Sequence, residues 1–80
     1  MNFLVLSNEP EATSFYMVDT TDWHWYILVY KKGMKGSTNR PERIIMVKEG
    51  EGWLCSDNRF PELNRNLQRE IEWYYKAYTC

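Results

Sequence analysis

Short runs of alternating apolar and polar residues occupy most of the first 56 positions of the chain. Their period of two, together with many β-branched and aromatic residues, predicts β-strands at about 2–6, 15–18, 23–31, 43–48 and 53–56. Turn-forming residues separate the runs, as in the segments 7–10, 19–22 and 49–52. Consecutive strands are therefore expected to pair as an antiparallel meander.

The run WHWYILVY, residues 23–30, is the longest of these stretches and predicts a central strand. Successive side chains of a strand point to opposite faces of the sheet. We expect the core face to be Trp23, Trp25, Ile27 and Val29. The other face, a half-polar aromatic surface, would carry His24, Tyr26, Leu28 and Tyr30.

The spacing of apolar residues changes to three and four after residue 60. It predicts an amphipathic helix over about 61–78, with an apolar stripe made of Phe60, Leu63, Leu67, Ile71, Tyr74 and Tyr78. Pro61 suits the first helical position, and Glu62 and Lys76 complement the helix dipole. The helix is expected to lie over the predicted core face of the central strand, at Trp25, Ile27 and Val29.

Together these elements predict an α+β fold, an antiparallel β-meander of four to five strands with one C-terminal helix packed on one face. Eighty residues suffice for one hydrophobic core, so residues 1–80 are expected to form a single domain. One helix covers only one face of a sheet. The opposite face is then left to solvent or to a partner.

Two tryptophans outside the central strand are candidate binding anchors, because tryptophan is enriched among the residues that dominate interface energies. Trp73 falls outside the apolar stripe of the helix. It is expected either to be exposed or to fold down at the helix edge, for example under Arg69 in a cation–π pair. Trp53 follows the Glu49–Gly52 turn and either caps the core at the sheet edge, the interpretation we favour, or projects as a second anchor.

Charge is unevenly distributed although the net charge is −1. Residues 1–30 contain four acidic residues and no lysine or arginine, whereas residues 31–48 contain six basic residues and one acidic residue. Glycine, proline, serine and asparagine predict a loop at 31–42. Such a loop is either a solvated connection or a docking site for phosphates or an acidic partner, through Lys31, Lys32, Lys35 and Arg40.

The sequence carries no recognisable catalytic or cofactor-binding motif. His24 is the one histidine and is interpreted as a strand residue partly facing solvent. The segment GMKGST at 33–38 lacks the GK[ST] ending of a phosphate-binding loop. Cys55 and Cys80 have no spacing typical of a zinc site. We therefore expect neither enzymatic activity nor a cofactor or metal.

The apolar run near the N-terminus is short and is preceded by no basic residue, unlike a signal peptide. No segment approaches the ~20 apolar residues of a membrane span. We expect a cytoplasmic protein with free thiols at Cys55 and Cys80.

Aromatic residues make up 16% of the chain, more than a core of this size needs, and they are enriched at protein interfaces. The sequence therefore favours a small protein-binding module that acts by occupying the surface of another protein. In size and style it is similar to phage and mobile-element inhibitors of host machinery. The expected contact residues are Tyr26, Tyr30, Lys31, Lys32, Lys35, Arg40, Trp53 and Trp73.

Nucleic-acid binding is the alternative hypothesis. Tyr26 and Tyr30 would stack on bases while the basic 31–42 loop contacts phosphates. The pI of 5.8 argues against it, because nucleic-acid-binding domains usually have a pI above about 9. Self-association through the uncovered sheet face is a third possibility and is compatible with the first.

Overall fold

The computed structural model describes residues 1–10, 12–34 and 40–79, except for the side chains of residues 32–34. Its five strands form one antiparallel sheet in chain order: β1 (Asn2–Glu9), β2 (Ala12–Asp19), β3 (Trp25–Met34), β4 (Arg43–Glu49) and β5 (Gly52–Cys55). The helix α1 (Pro61–Thr79) follows β5 and packs on one face of this sheet. The predicted α+β meander with a C-terminal helix is confirmed.

Strand β3 differs most from its predicted bounds. It begins at Trp25 rather than at residue 23 and continues to Met34, so the first part of the predicted 31–42 loop belongs to a strand. The pairing with β2 shifts between Phe15 and Tyr16, which pair with Lys32 and Tyr30. Lys31 is therefore the extra residue of a β-bulge. Residues 35–39 lie outside the described part of the chain.

The turn between β2 and β3 is held by two polar side chains. Thr20 Oγ1 accepts a hydrogen bond from Trp23 N at 3.1 Å and donates one to Trp25 O at 2.7 Å. Asp22 Oδ1 accepts hydrogen bonds from the backbone N–H groups of His24 and Trp25. These bonds hold Trp23 in the left-handed backbone region, with φ of 59°. Trp23 and Trp25 consequently lie on different sides of the sheet, although they are two residues apart in sequence.

The core lies between the sheet and α1. Each of the first four strands contributes a pair of alternating side chains, and the helix contributes its predicted stripe. The members are Phe3, Val5, Tyr16, Val18, Tyr26, Leu28, Ile44, Met46, Leu63, Leu67 and Ile71. Full burial of one large apolar side chain stabilises the folded state by about 1.5–3 kcal/mol relative to exposure. This cluster is therefore the main source of stability.

The predicted orientation of the central strand is wrong. Leu28 is completely buried under the helix and Tyr26 nearly so, whereas Trp25 is 55% exposed and Ile27 and Val29 are exposed as well. Both alternating sets of β3 are apolar, so alternation separates the two faces without showing which one the helix covers. Trp23 is the exception among the predicted core residues, because the turn places it on the helix side, where it packs against the core and its ring stacks on Phe3.

The N-terminus of α1 is fixed by Asn64. Its backbone N–H donates to Phe60 O at 3.0 Å, and its side-chain Nδ2 donates to Asp57 O at 2.7 Å. The predicted stripe is confirmed from Leu63 to Ile71, and Phe60 and Tyr74 pack beside it. Tyr78, predicted to belong to the stripe, is exposed, although its ring stacks on Tyr74 and Trp23.

Candidate interaction surfaces

The sheet face opposite α1, named here the open face, is apolar across all five strands. Its apolar side chains come from the alternating positions that do not contact the helix. They are Leu4, Leu6, Phe15, Met17, Trp25, Ile27, Val29, Ile45, Val47 and Leu54. An antiparallel sheet with one solvated face normally carries polar residues on that face.

Six of these side chains are exposed, with values from 37% for Val29 to 59% for Leu54. Val47 lies outside the core cluster and is only 9% exposed, because the strand register places it between Trp25 and Leu54. The residues are contiguous in the strand register. Large contiguous apolar patches on the surface of a protein are often sites of interaction.

The register arranges the apolar residues as a diagonal band. Leu6 lies beside Phe15, and Leu4 lies in a row with Met17 and Val29. At the other end, Trp25, Val47 and Leu54 form a row across β3, β4 and β5. The band therefore runs from Leu6 at the β1 edge to Leu54 at the β5 edge.

Charged residues flank the band on opposite sides. Asp19 pairs with Ile27 across β2 and β3 and lies on one side. Arg43 pairs with Val29 across β3 and β4 and lies on the other side. Both side chains are exposed. The open face thus has an acidic flank and a basic flank.

A shallow depression of about 310 Å³ borders Trp25 on the open face. Ile27 and Ile45 form its apolar wall, and Asp19, Thr20 and Thr21 form its polar edge. A side chain from a partner could enter this recess and contact the exposed indole. The open face therefore offers a pocket as well as a flat apolar surface.

A second concave surface, named here the aromatic groove, has a volume of about 440 Å³ and lies between the sheet and the C-terminal half of α1. Tyr26 forms its floor, with ring centroids 5.4 Å from Trp53 and 6.4 Å from Trp23. Tyr75 of the helix adds a wall 5.6 Å from Trp23. The remaining lining residues are Asp22, Lys48, Gly50, Ile71, Glu72 and Lys76.

Glu72 holds the polar side of the aromatic groove together. One carboxylate oxygen, Oε2, accepts hydrogen bonds from Lys48 Nζ at 2.8 Å and from Trp53 Nε1 at 3.1 Å. The Lys48 ammonium lies 5.1 Å from the centroid of the Trp53 ring. Its hydrogen bond lowers the pKa of Glu72. These contacts tie α1 to β4 and β5, which gives the groove a structural role.

A buried polar cluster occupies the opposite end of the sheet. Arg40 Nη2 lies 3.0 Å from Glu9 Oε1, and Ser7 Oγ donates to Glu9 Oε2 at 3.0 Å. Asn66 of the helix donates to Ser7 Oγ at 3.1 Å. The cluster therefore connects the segment before β4 to β1 and α1.

Comparison with protein-family models, curated proteins and solved structures finds no match. Within residues 1–10, 12–34 and 40–79, no helix is long and apolar enough to cross a membrane. In the same part of the chain, histidine, cysteine and carboxylate side chains form no group of three or more that could hold a metal ion.

The two candidate tyrosines lie on the helix side of the sheet and not on the open face. Tyr26 belongs to the core, and its hydroxyl donates to Trp23 O at 2.5 Å. Burial raises the pKa of Tyr26 to about 12. Tyr30 is half-buried on the helix side, where its ring packs edge-on against Tyr16 at 5.5 Å. Apart from His24, the residues of the predicted aromatic face therefore pack on the helix side of the sheet.

The four basic candidates do not form one described patch. Lys31 is exposed at the bulge of β3. The side chain of Arg40 is only 8% exposed and is paired with Glu9, so Arg40 is a structural residue of the polar cluster. The side chain of Lys32 and the whole of Lys35 lie outside the described residues, as does Cys80.

The two candidate tryptophans have different environments. Trp53 is half-buried against the core and bonded to Glu72, which confirms that it caps the core at the sheet edge. Trp73 is 65% exposed on α1, as the first of its two alternatives predicts. His24 is exposed in the turn before β3.

The hydrophobic pattern does not identify the open face, because it places Trp25, Ile27 and Val29 in the core. A usable signal was nevertheless present in β1, where Phe3 and Val5 alternate with Leu4 and Leu6. Apolar residues at both sets of alternating positions of a strand are typical of a sheet covered on both faces. With one helix available, that pattern implies a second apolar layer from elsewhere.

Proposed function

We propose that this chain is a non-enzymatic protein-binding module whose contact surface is the open face of its sheet. The observation that carries the proposal is the exposed diagonal apolar band, which ends in Leu54 and includes Trp25. Covering these side chains removes apolar surface from water, and that is the dominant favourable term in most protein association. Trp25 and the depression beside it form the natural anchor of such a contact.

The chemistry of the open face favours a polypeptide partner over a nucleic acid. Its apolar residues are mainly aliphatic, whereas a surface that binds single strands stacks bases on aromatic rings. The two tyrosines of the stacking hypothesis, Tyr26 and Tyr30, lie on the helix side. Arg40, one of its phosphate contacts, is paired with Glu9.

A binding module of this kind acts through a surface that is complementary to the surface of its partner. An inhibitor that blocks another protein by occupying its surface is the form of this function that we propose, in line with the size and composition of the chain. Asp19 and Arg43 at the flanks would orient the docked partner, since charged rims set register and association rate more than affinity.

Capture by the immobilised full chain tests the proposal. A protein captured from an extract of the native source is identified, purified and titrated against the wild type and two open-face variants, Leu54→Lys and Trp25→Ser. Each variant is expected to weaken binding by roughly tenfold or more, equivalent to about 1.4 kcal/mol. Both positions are exposed, so thermal melting should show a retained fold.

Trp73→Ser is the matched control, because it removes a similarly exposed tryptophan from the outer surface of α1. The proposal is wrong if the open-face variants bind as tightly as the wild type or if only the Trp73 variant loses binding. Gel shifts with mixed oligonucleotides at ~50 mM salt address the nucleic-acid alternative, since phosphate contacts are strong at low salt. A shift that Lys31→Glu abolishes would also overturn the proposal.

A further inference from the structure

We propose that the occupant of the open face is a second copy of this chain, docked about a twofold axis that runs along the diagonal apolar band. The inference rests on the proposed function, because it assigns to the same surface a first occupant with which any other protein partner has to compete. It commits to one geometry: two sheets packed face to face, each covering the apolar band of the other.

The positions of the two flanking charges support a second copy. Asp19 and Arg43 occupy adjacent rows of the open face, one on each side of the band. They also lie at nearly the same distance along the band. Asp19 pairs with Ile27 and Arg43 pairs with Val29, and Ile27 and Val29 are consecutive open-face residues of β3. A rotation of 180° about the band exchanges its two sides. Asp19 of one copy then faces the partner's Arg43, and the same contact occurs twice.

The same charges exclude the other simple arrangement. A twofold axis lying in the interface but perpendicular to the band leaves each flank facing its own copy, so Asp19 would meet the partner's Asp19. Like charges facing each other across an interface are strongly unfavourable. In an isologous dimer the same surface of both copies meets and is complementary to itself about the twofold axis. The open face meets this condition for the axis along the band.

Both flanking charges remain free to form these contacts. The Asp19 side chain is 61% exposed although the Met1 amino group lies 3.9 Å from its Oδ1. Arg43 is exposed and forms no ion pair with any other residue that the structure describes. Each can therefore pair across the interface without breaking a buried contact.

The dimensions of the open face also suit a second sheet. Five strands spaced about 4.8 Å apart span roughly 19 Å between the two outer strands, and two packed sheets lie about 10 Å apart. A face of this width supplies area of the order of the ~800 Å² per partner that a standard interface buries. Ile27, near the middle of the band, meets the same region of the partner close to the axis.

Charge reversal with reciprocal rescue tests the geometry. Sedimentation equilibrium of the full chain, from micromolar to millimolar concentration, should give twice the 9.7 kDa mass of one chain for the wild type. Asp19→Arg and Arg43→Asp should each raise the dimer dissociation constant at least tenfold, because each change creates two like-charge contacts. The double variant D19R/R43D restores opposite charges and should dimerise within about threefold of the wild type.

Arg65→Asp, which makes the same charge change on an exposed position of α1, is the control and should leave the dimer unchanged. Circular dichroism and thermal melting confirm that every variant is folded. Ile27→Asp provides a second test, since two carboxylates near the axis should abolish the dimer while Asp19 and Arg43 remain. A rescue by the double variant supports the twofold geometry.

A dimer that survives both single reversals, or that the double variant fails to restore, overturns the proposed geometry. A wild-type chain that is monomeric over the whole concentration range overturns the inference altogether. The proposed function is tested separately by heterologous capture. If Leu54→Lys abolishes capture by a monomeric chain, the partner is a different protein and only the second-copy inference fails.

Discussion

Arg40 Nη2 lies 3.0 Å from Glu9 Oε1, and their side chains are only 8% and 4% exposed. The pair joins the segment before β4 to the end of β1, across 31 positions of sequence. Glu9 is further held by the hydroxyl of Ser7, and the Arg40 guanidinium lies 5.1 Å from the ring centroid of Phe60. Arg40, which belongs to a basic segment of the sequence, is thus a structural residue of the fold.

Arg40→Ala is expected to destabilise the fold by about 3 kcal/mol, because it leaves the buried Glu9 carboxylate without its cation. Urea denaturation of the variant and the wild type measures the change in the free energy of unfolding. Glu9→Gln in the Arg40→Ala background should recover part of the loss, since it removes the unpaired charge. An Arg40→Ala variant with unchanged stability would contradict the burial of this pair.

Neighbouring substitutions on β3 test which face of the sheet is the core. Leu28→Ala is expected to cost 2–5 kcal/mol, the range for a large buried aliphatic side chain truncated to alanine. Ile27→Ala should cost less than about 1 kcal/mol in the monomer, since surface changes have small effects. Denaturation at the lowest practical protein concentration separates fold stability from self-association. A larger effect at Ile27 than at Leu28 would reverse the assignment.

Glu72 should contribute to an acid-sensitive part of the stability. Its pKa is lowered from an ordinary value of 4.5, chiefly by the hydrogen bond from Lys48. The folded state therefore favours the ionised form: the stabilisation is complete above pH 4.5 and is lost as the pH falls through the lower folded pKa. Partial exposure keeps the contribution to about 0.5 kcal/mol.

Glu72→Gln tests this pH dependence in unfolding experiments between neutral and acidic pH. The variant should be less stable than the wild type at neutral pH, and the difference should shrink below pH 4.5 as the native carboxylate becomes protonated. Trp53 fluorescence should also change, because its indole N–H loses a carboxylate acceptor. A constant difference at all pH values would contradict the assigned role of the charge.

Tyr26 should make the fold sensitive to alkali. Burial raises its pKa to about 12 from an ordinary value of 10.0, so the unfolded chain loses the phenolic proton first. Stability should therefore fall as the pH rises from 10 towards 12. Tyr26→Phe should flatten this fall. Absorbance titration of the tyrosines should also show one fewer late-ionising group, and an unchanged titration would contradict its burial.

The fold could be predicted from sequence because its signals are local. Alternation in β1, β2 and β4 and the spacing of Leu63, Leu67 and Ile71 depend on neighbouring residues only. The hairpin across Asp19–Asp22 was predictable for the same reason, since turn chemistry is set within a few residues.

The candidate site could not be predicted, because its residues are defined by what lies across the sheet. Trp25 and Tyr26 have equally hydrophobic surroundings in sequence, and one is exposed while the other is buried. Arg40 appears as a surface cation until Glu9, remote in sequence, is brought beside it. Each of these outcomes depends on long-range packing rather than on local preference.

By itself, the sequence determined five strands, their antiparallel order and one amphipathic helix, because hydrophobic period and turn residues act over short distances. Only the tertiary structure decided that α1 covers Leu28 rather than Ile27. Both alternating sets of side chains of β3 are apolar. Which set the helix covers depends on the total burial across all five strands and the helix. That choice leaves the Leu6–Leu54 band exposed, and this band is the interaction surface that we propose.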